Sequence, residues 1–139
     1  MLREANLSAM TEAQTALAEL TEISAQIEAA VLFDRDGTVA GSTVSDERAA
    51  RIATAAKTLL EAAEEVRDAE LTQVEAATGD GSLFVVRDGE QLIAAATGPE
   101  PTAGLVFYDL KSCLRKASEK PKPKRRATAR PRAKSSGSS

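Results

Sequence analysis

The stretch Ile27–Val44, IEAAVLFDRDGTVAGSTV, leaves this chain few choices of fold. An apolar run, Ala29 to Phe33, meets a polar turn, Asp34-Arg35-Asp36-Gly37, and a second extended run follows from Thr38 to Val44. Asp-Gly between two β-prone segments is a strong hairpin signal, because Gly accepts positive φ without a Cβ clash. The spacing predicts one β-hairpin turning near Asp36-Gly37. Its first strand is apolar on both faces, Ala29, Val31 and Phe33 alternating with Ala30 and Leu32. A strand buried on both sides needs cover above and below, so helices are expected on both faces of the sheet.

The flanking segments supply that cover. Residues 2–24 lack Gly and Pro and are rich in Ala, Leu and Glu, with Met10, Ala13, Leu17 and Leu20 on one stripe. Thr11 and Gln14 are spaced as a capping box, which would start a helix there, with Met1 to Ser8 either extending it or fraying. Ser45 reads as the N-cap of a second helix reaching about Val66, with Asp46 and Glu47 at the positive end of its dipole. That helix has two apolar stripes. Ile52, Ala56, Leu59, Ala63 and Val66 form one, and Ala49, Ala53, Ala56, Leu60 and Ala63 form the other, where small side chains either let another helix approach or simply reflect Ala as a common and good helix former.

From Leu71 the period changes to two. Leu71–Thr78, Ser82–Arg87 and Gln91–Thr97 read as strands, separated by Gly79-Asp80-Gly81 and by Asp88-Gly89. The first of them, carrying Gln73 and Glu75, is the most polar and is expected at a sheet edge, where it could pair with another chain. Gly98-Pro99-Glu100-Pro101 breaks the chain before a last helix, from about Thr102 to Ala117, with Val106, Leu110, Cys113, Leu114 and Ala117 inward. The order α-β-β-α-β-β-β-α predicts a five-stranded antiparallel sheet sandwiched by helices in one α/β domain, residues 1–117.

Charge divides the chain differently. The net charge of −3 conceals 7 Lys/Arg against 20 Asp/Glu in residues 1–110, and 11 Lys/Arg against one Glu in residues 111–139. Residues 118–139 contain no large apolar side chain and no aromatic, which predicts a disordered basic tail. Its Lys120, Lys122, Lys124, Arg125, Arg126, Arg130, Arg132 and Lys134 suit contacts to phosphates without a stacking platform for bases. Nucleic acid, another anionic surface and the acidic body itself are all candidate partners for it.

Chemistry is restricted by what the chain lacks. It has no His and no Trp, which removes histidine general bases, Ser-His-Asp triads and ordinary zinc sites, and no cofactor or metal is expected. Cys113 is the only cysteine and fits a reducing compartment, and the N-terminus lacks the basic and apolar regions of a secretory signal, so a cytoplasmic location is expected. No apolar run approaches the ~20 residues of a membrane span.

Two family resemblances compete for the Asp34 turn. Val31-Leu32-Phe33-Asp34-Arg35-Asp36-Gly37-Thr38-Val39 resembles the first motif of the haloacid dehalogenase phosphatases, in which the first Asp attacks phosphorus. The downstream requirements fail. Gly79-Asp80 is followed at the metal-ligand offset by Phe84, Lys57 is the only Lys before residue 111, and the meander is antiparallel where that fold needs a parallel sheet. Catalysis at Asp34 is therefore rejected, and Asp34 and Asp36 are read as setting the turn.

The order of elements resembles instead the roadblock / dynein light chain family, over about Leu17 to Ala117. The supporting residues are the apolar strand into Asp36-Gly37 and Ser45-Asp46-Glu47 opening an Ala-rich helix. Gly81-Ser82-Leu83-Phe84-Val85-Val86 then leads to Asp88-Gly89 and Leu92-Ile93-Ala94, and Gly104-Leu105-Val106-Phe107-Tyr108-Asp109-Leu110 closes the pattern. The resemblance implies no active site, a homodimer formed through the central helix and an edge strand, and binding to small Ras-like GTPases, whose hydrolysis some bacterial members stimulate. The dimer contacts expected on this reading are Ala49, Ala53, Ala56, Leu60, Ala63, Gln73 and Glu75, with Ala56→Glu expected to split the dimer. The expected function is a non-enzymatic regulator or scaffold of a small GTPase; the alternative is a nucleic-acid-associated accessory protein that binds through its tail.

Overall fold

A computed structural model describes the backbone of residues 2–118 and the side chains of residues 12–118. Eight elements follow in order: α1 (Leu2–Ile23), β1 (Ile27–Asp34), β2 (Val39–Ser42), α2 (Asp46–Arg67), β3 (Gln73–Ala77), β4 (Ser82–Asp88), β5 (Gln91–Thr97) and α3 (Ala103–Ser118). The strands form one antiparallel sheet in the order β2-β1-β5-β4-β3. β1, β5 and β4 lie inside the sheet, and β2 and β3 are the edges.

The doubly apolar β1 has the predicted cover. Ala29 to Phe33 are all buried. Ala30 and Leu32 join Phe84, Val86, Ile93 and Ala95 beneath α1 and α3, in a core with Leu17, Leu20, Val106, Leu110 and Leu114. Val31 and Phe33 face the other way, with Val85, Leu92 and Ala94, beneath α2. The rings of Phe84 and Phe107 meet edge to face at 5.0 Å, joining α3 to the sheet.

The hairpins turn where Gly was expected. Gly37 has φ +92°, and its N–H donates to the Asp34 carbonyl at 2.8 Å. At the β3–β4 turn a close approach is decisive: a Cβ on Gly81 would lie 2.1 Å from the Thr97 carbonyl oxygen, so no larger residue fits without moving backbone. Ser45 caps α2, its Oγ accepting from Arg48 N–H at 3.3 Å, and Asp68 closes that helix in the left-handed region at φ 53°.

Several boundaries differ from the sequence reading, β2 shortening to Val39–Ser42 and β4 running on to Asp88 among them. α1 begins at Leu2, so the segment ahead of Thr11 extends the helix and Thr11 is not its cap. Gln14 is consequently free to reach outward, and its Oε1 accepts from Ser42 N–H of β2 at 3.0 Å. β3 is shorter than Leu71–Thr78, because Leu71 and Thr72 are held by side chain and backbone outside the regular ladder. α3 starts one residue late. Thr102 acts as its lead-in, its carbonyl accepting from Val106 N–H at 3.0 Å while its own N–H donates to Gln26 Oε1 at 2.6 Å. None of the helices, among the described residues, is long and apolar enough to cross a membrane.

Candidate interaction surface

The two stripes of α2 are used in the opposite sense from the one expected. Ala49, Ala53, Ala56 and Leu60 are buried against Val31, Phe33, Val85, Leu92 and Ala94 of the chain's own sheet. Their assignment to a contact between copies is corrected: small side chains let α2 lie close on a sheet crowded with aromatic and branched residues. Ala63 is half-buried at the boundary. The other stripe, apart from the shared and buried Ala56, lies at the rim of this contact. Ile52 and Leu59 are half-buried on the rim of this core, together with Val74 and Leu83 of the β3–β4 hairpin, and Val66 is 82% exposed.

Gln73 and Glu75 lie on β3, at the sheet edge as expected. Their faces are another matter. They pair with Val86 and Phe84, which places them on the α1–α3 side of the sheet, while Val74 and Ala76 pair with Val85 and Leu83 on the α2 side. Gln73 and Glu75 are thus not brought together with the α2 stripe; Val74 is. The two edges also differ. Gln14 of α1 occupies an N–H of β2, whereas among the described residues no side chain bonds to the backbone of β3 between Gln73 and Ala77. β3 offers an open edge for strand pairing.

A charged cluster fixes where that edge begins. Arg87 is 7% exposed, on the α2 side of β4. Its Nη2 lies 2.6 Å from Glu64 Oε2 and 3.3 Å from Glu70 Oε2, a close ion pair whose angles do not make it a hydrogen bond. Its backbone N–H donates to the Thr72 carbonyl at 2.8 Å. Glu64 Oε2 also accepts from Leu71 N–H at 2.9 Å, and this bond, with the nearby Arg87 and Arg35 charges, outweighs burial and holds the Glu64 carboxyl below its ordinary range. Arg35 extends the cluster, 3.6 Å from Glu70 and 4.0 Å from Glu90. Arg87 was not singled out from the sequence. Its signal was present: period two along Phe84-Val85-Val86-Arg87 puts a charge in line with core-facing Val85, and a charge there needs a partner.

Asp34 is committed to the turn. Its Oδ1 accepts from Asp36 N–H at 2.9 Å and from Thr38 N–H at 3.0 Å. Among the described residues no three His, Cys, Asp or Glu side chains are grouped to hold a metal ion. Cys113 is buried on the inner side of α3, and desolvation pushes its thiol up to about 12. The basic residues Lys120, Lys122, Lys124, Arg125, Arg126, Arg130, Arg132 and Lys134 lie outside the described residues.

Solved structures show the same fold. A Roadblock/LC7 domain from Streptomyces avermitilis is 21% identical, with a TM-score of 0.63, covering 70% of this chain and 88% of that one. The gliding protein MglB from Thermus thermophilus is 18% identical, with a TM-score of 0.62, covering 80% and 89%. Myxococcus xanthus MglB is 11% identical, with a TM-score of 0.58, covering 84% and 95%. No curated protein matches the sequence. The family model described as the Roadblock/LC7 domain matches residues 12–97, more than half of the chain. With that match on an antiparallel sheet that carries one helix on one face and two on the other, the chain belongs to the Roadblock/LC7 domain family.

Proposed function

We propose that this domain is a homodimeric regulator or scaffold of a small Ras-like GTPase, acting in the cytoplasm without an active site of its own. The observation that carries the reading is the open edge of β3, on a Roadblock/LC7 fold whose α2 side leaves Ile52, Leu59, Val66 and Val74 incompletely covered. Two copies joined edge to edge at β3 would form one continuous sheet, with an α2 from each chain on the same side. Apolar side chains left at the rim of a core favour such an association, each full burial contributing roughly 1.5–3 kcal/mol. The similarity to MglB supports the same reading, and one MglB structure is described as having a tetrameric arrangement. The GTPase would meet a surface built from both copies and supply the nucleotide chemistry itself.

The basic tail motivates the second reading, an accessory protein that contacts nucleic acid through residues 118–139 and uses the folded domain only to associate. Affinity capture from nuclease-treated native lysate, with a non-hydrolysable GTP analogue present, separates the two. Recovery of a small GTPase that persists after deletion of residues 118–139 supports the regulator. Recovery of nucleoprotein alone, lost with the tail and weakening steeply with salt, contradicts it.

A further inference from the structure

We infer that Arg87 is the positioning residue of the β3 edge: it ties the α2–β3 connection to β4 and thereby sets how the open edge is presented to a second copy. This rests on the homodimer reading above and adds to it the residue on which the pairing depends.

The contacts converge on one short segment. β3 is five residues long and pairs with β4 alone, so among the described residues no strand holds its outer side. Such an edge strand belongs to the least stable part of a fold unless it is tied at an end. At its N-terminal end the tie is made from three directions. Arg87 N–H holds the Thr72 carbonyl, Glu64 Oε2 holds Leu71 N–H, and the Arg87 guanidinium holds Glu64 and Glu70 together from within. The main chain of Glu64 adds to this, its carbonyl accepting from the N–H groups of Asp68 and Ala69 where α2 ends. Residues 68–72 therefore wrap around Glu64, and Glu64 is braced by Arg87.

An apolar residue at position 87 would satisfy the core without specifying this path. A buried ion pair adds little net stability over a well-packed hydrophobe, but it penalises arrangements that leave a charge unpaired. Here the arrangement specified is the start of β3 relative to the end of α2, the two elements whose outer sides form the candidate interface. A loosened connection would leave β4, β5 and β1 in place while β3 shifts or frays.

Hydrogen exchange of the full chain, read alongside sedimentation equilibrium, tests this with Arg87→Met and Arg87→Lys. In Arg87→Met, amides of residues 71–77 should exchange about tenfold faster or more, with residues 27–34 and 91–97 unchanged, and the dimer dissociation constant should rise by a similar factor. Arg87→Lys, which keeps a charge for Glu64 and Glu70, should recover part of both effects. Unchanged exchange in β3, or equal loss of protection across all strands, overturns the positioning role. A loosened β3 with an unchanged dissociation constant overturns its link to association. A monomeric wild-type chain overturns that link and the homodimer reading together, while exchange in β3 still decides whether Arg87 ties the strand.

Discussion

Single residues show how chemistry that looked ambiguous becomes structural. Asp34 heads a sequence that a phosphatase could use, yet its carboxylate accepts two backbone N–H groups of its own turn. Asp34→Ala should cost about 1 kcal/mol, read as a lower urea midpoint, because those donors lose a charged acceptor. Gly81→Ala should cost more, ~2 kcal/mol or above, since the new Cβ would overlap the Thr97 carbonyl. Cys113 tests the core directly. With its thiol raised to about 12 by desolvation, it is neutral and enclosed at pH 8. Labelling by a thiol reagent should therefore wait on unfolding; fast labelling of the folded chain would show an open core beneath α3.

Elements were more readable in the sequence than the faces they present. The turns at Asp36-Gly37, Gly79-Asp80-Gly81 and Asp88-Gly89 locate all three hairpins, and period two locates the strands of the meander, because these signals are local. The orientation of α2 is not local. Both of its stripes are apolar, and only the shape of the sheet beneath decides that Ala49, Ala53, Ala56 and Leu60 go inward. Arg87 was overlooked for a related reason: its partners Glu64 and Glu70 come from outside its own strand, and no spacing rule joins them. The corrected orientation changes the useful mutation. Ala56 is completely buried, so Ala56→Glu should unfold the domain by burying an unpaired carboxylate. Leu59→Glu, on the rim stripe, should leave the thermal midpoint within a few degrees and dissociate the dimer; retained dimerisation would move the interface away from α2.

For the whole molecule, the end of α2, the start of β3, the end of β4 and the β1–β2 and β4–β5 turns meet in one acidic cluster braced by Arg87 and Arg35. Its pH response follows from Glu64, whose folded carboxyl titrates below the ordinary 4.5. Stability from a depressed carboxyl is fully present above its unfolded value and is lost as pH falls through the folded one. Glu64→Gln should therefore be about 1–3 kcal/mol less stable than wild type at neutral pH, and the difference should shrink as pH falls under 4.5 and vanish once it has passed the lower folded value. A gap that persists at low pH would show that the charge of Glu64 does not carry the effect.

The proposed homodimer rests on the open β3 edge and the incompletely covered side of α2. Sedimentation equilibrium at micromolar concentration tests that most directly. The expected result is twice the chain mass of 14.6 kDa, falling to a single chain in Leu59→Glu with its fold intact. A wild-type chain that sediments at 14.6 kDa would contradict it.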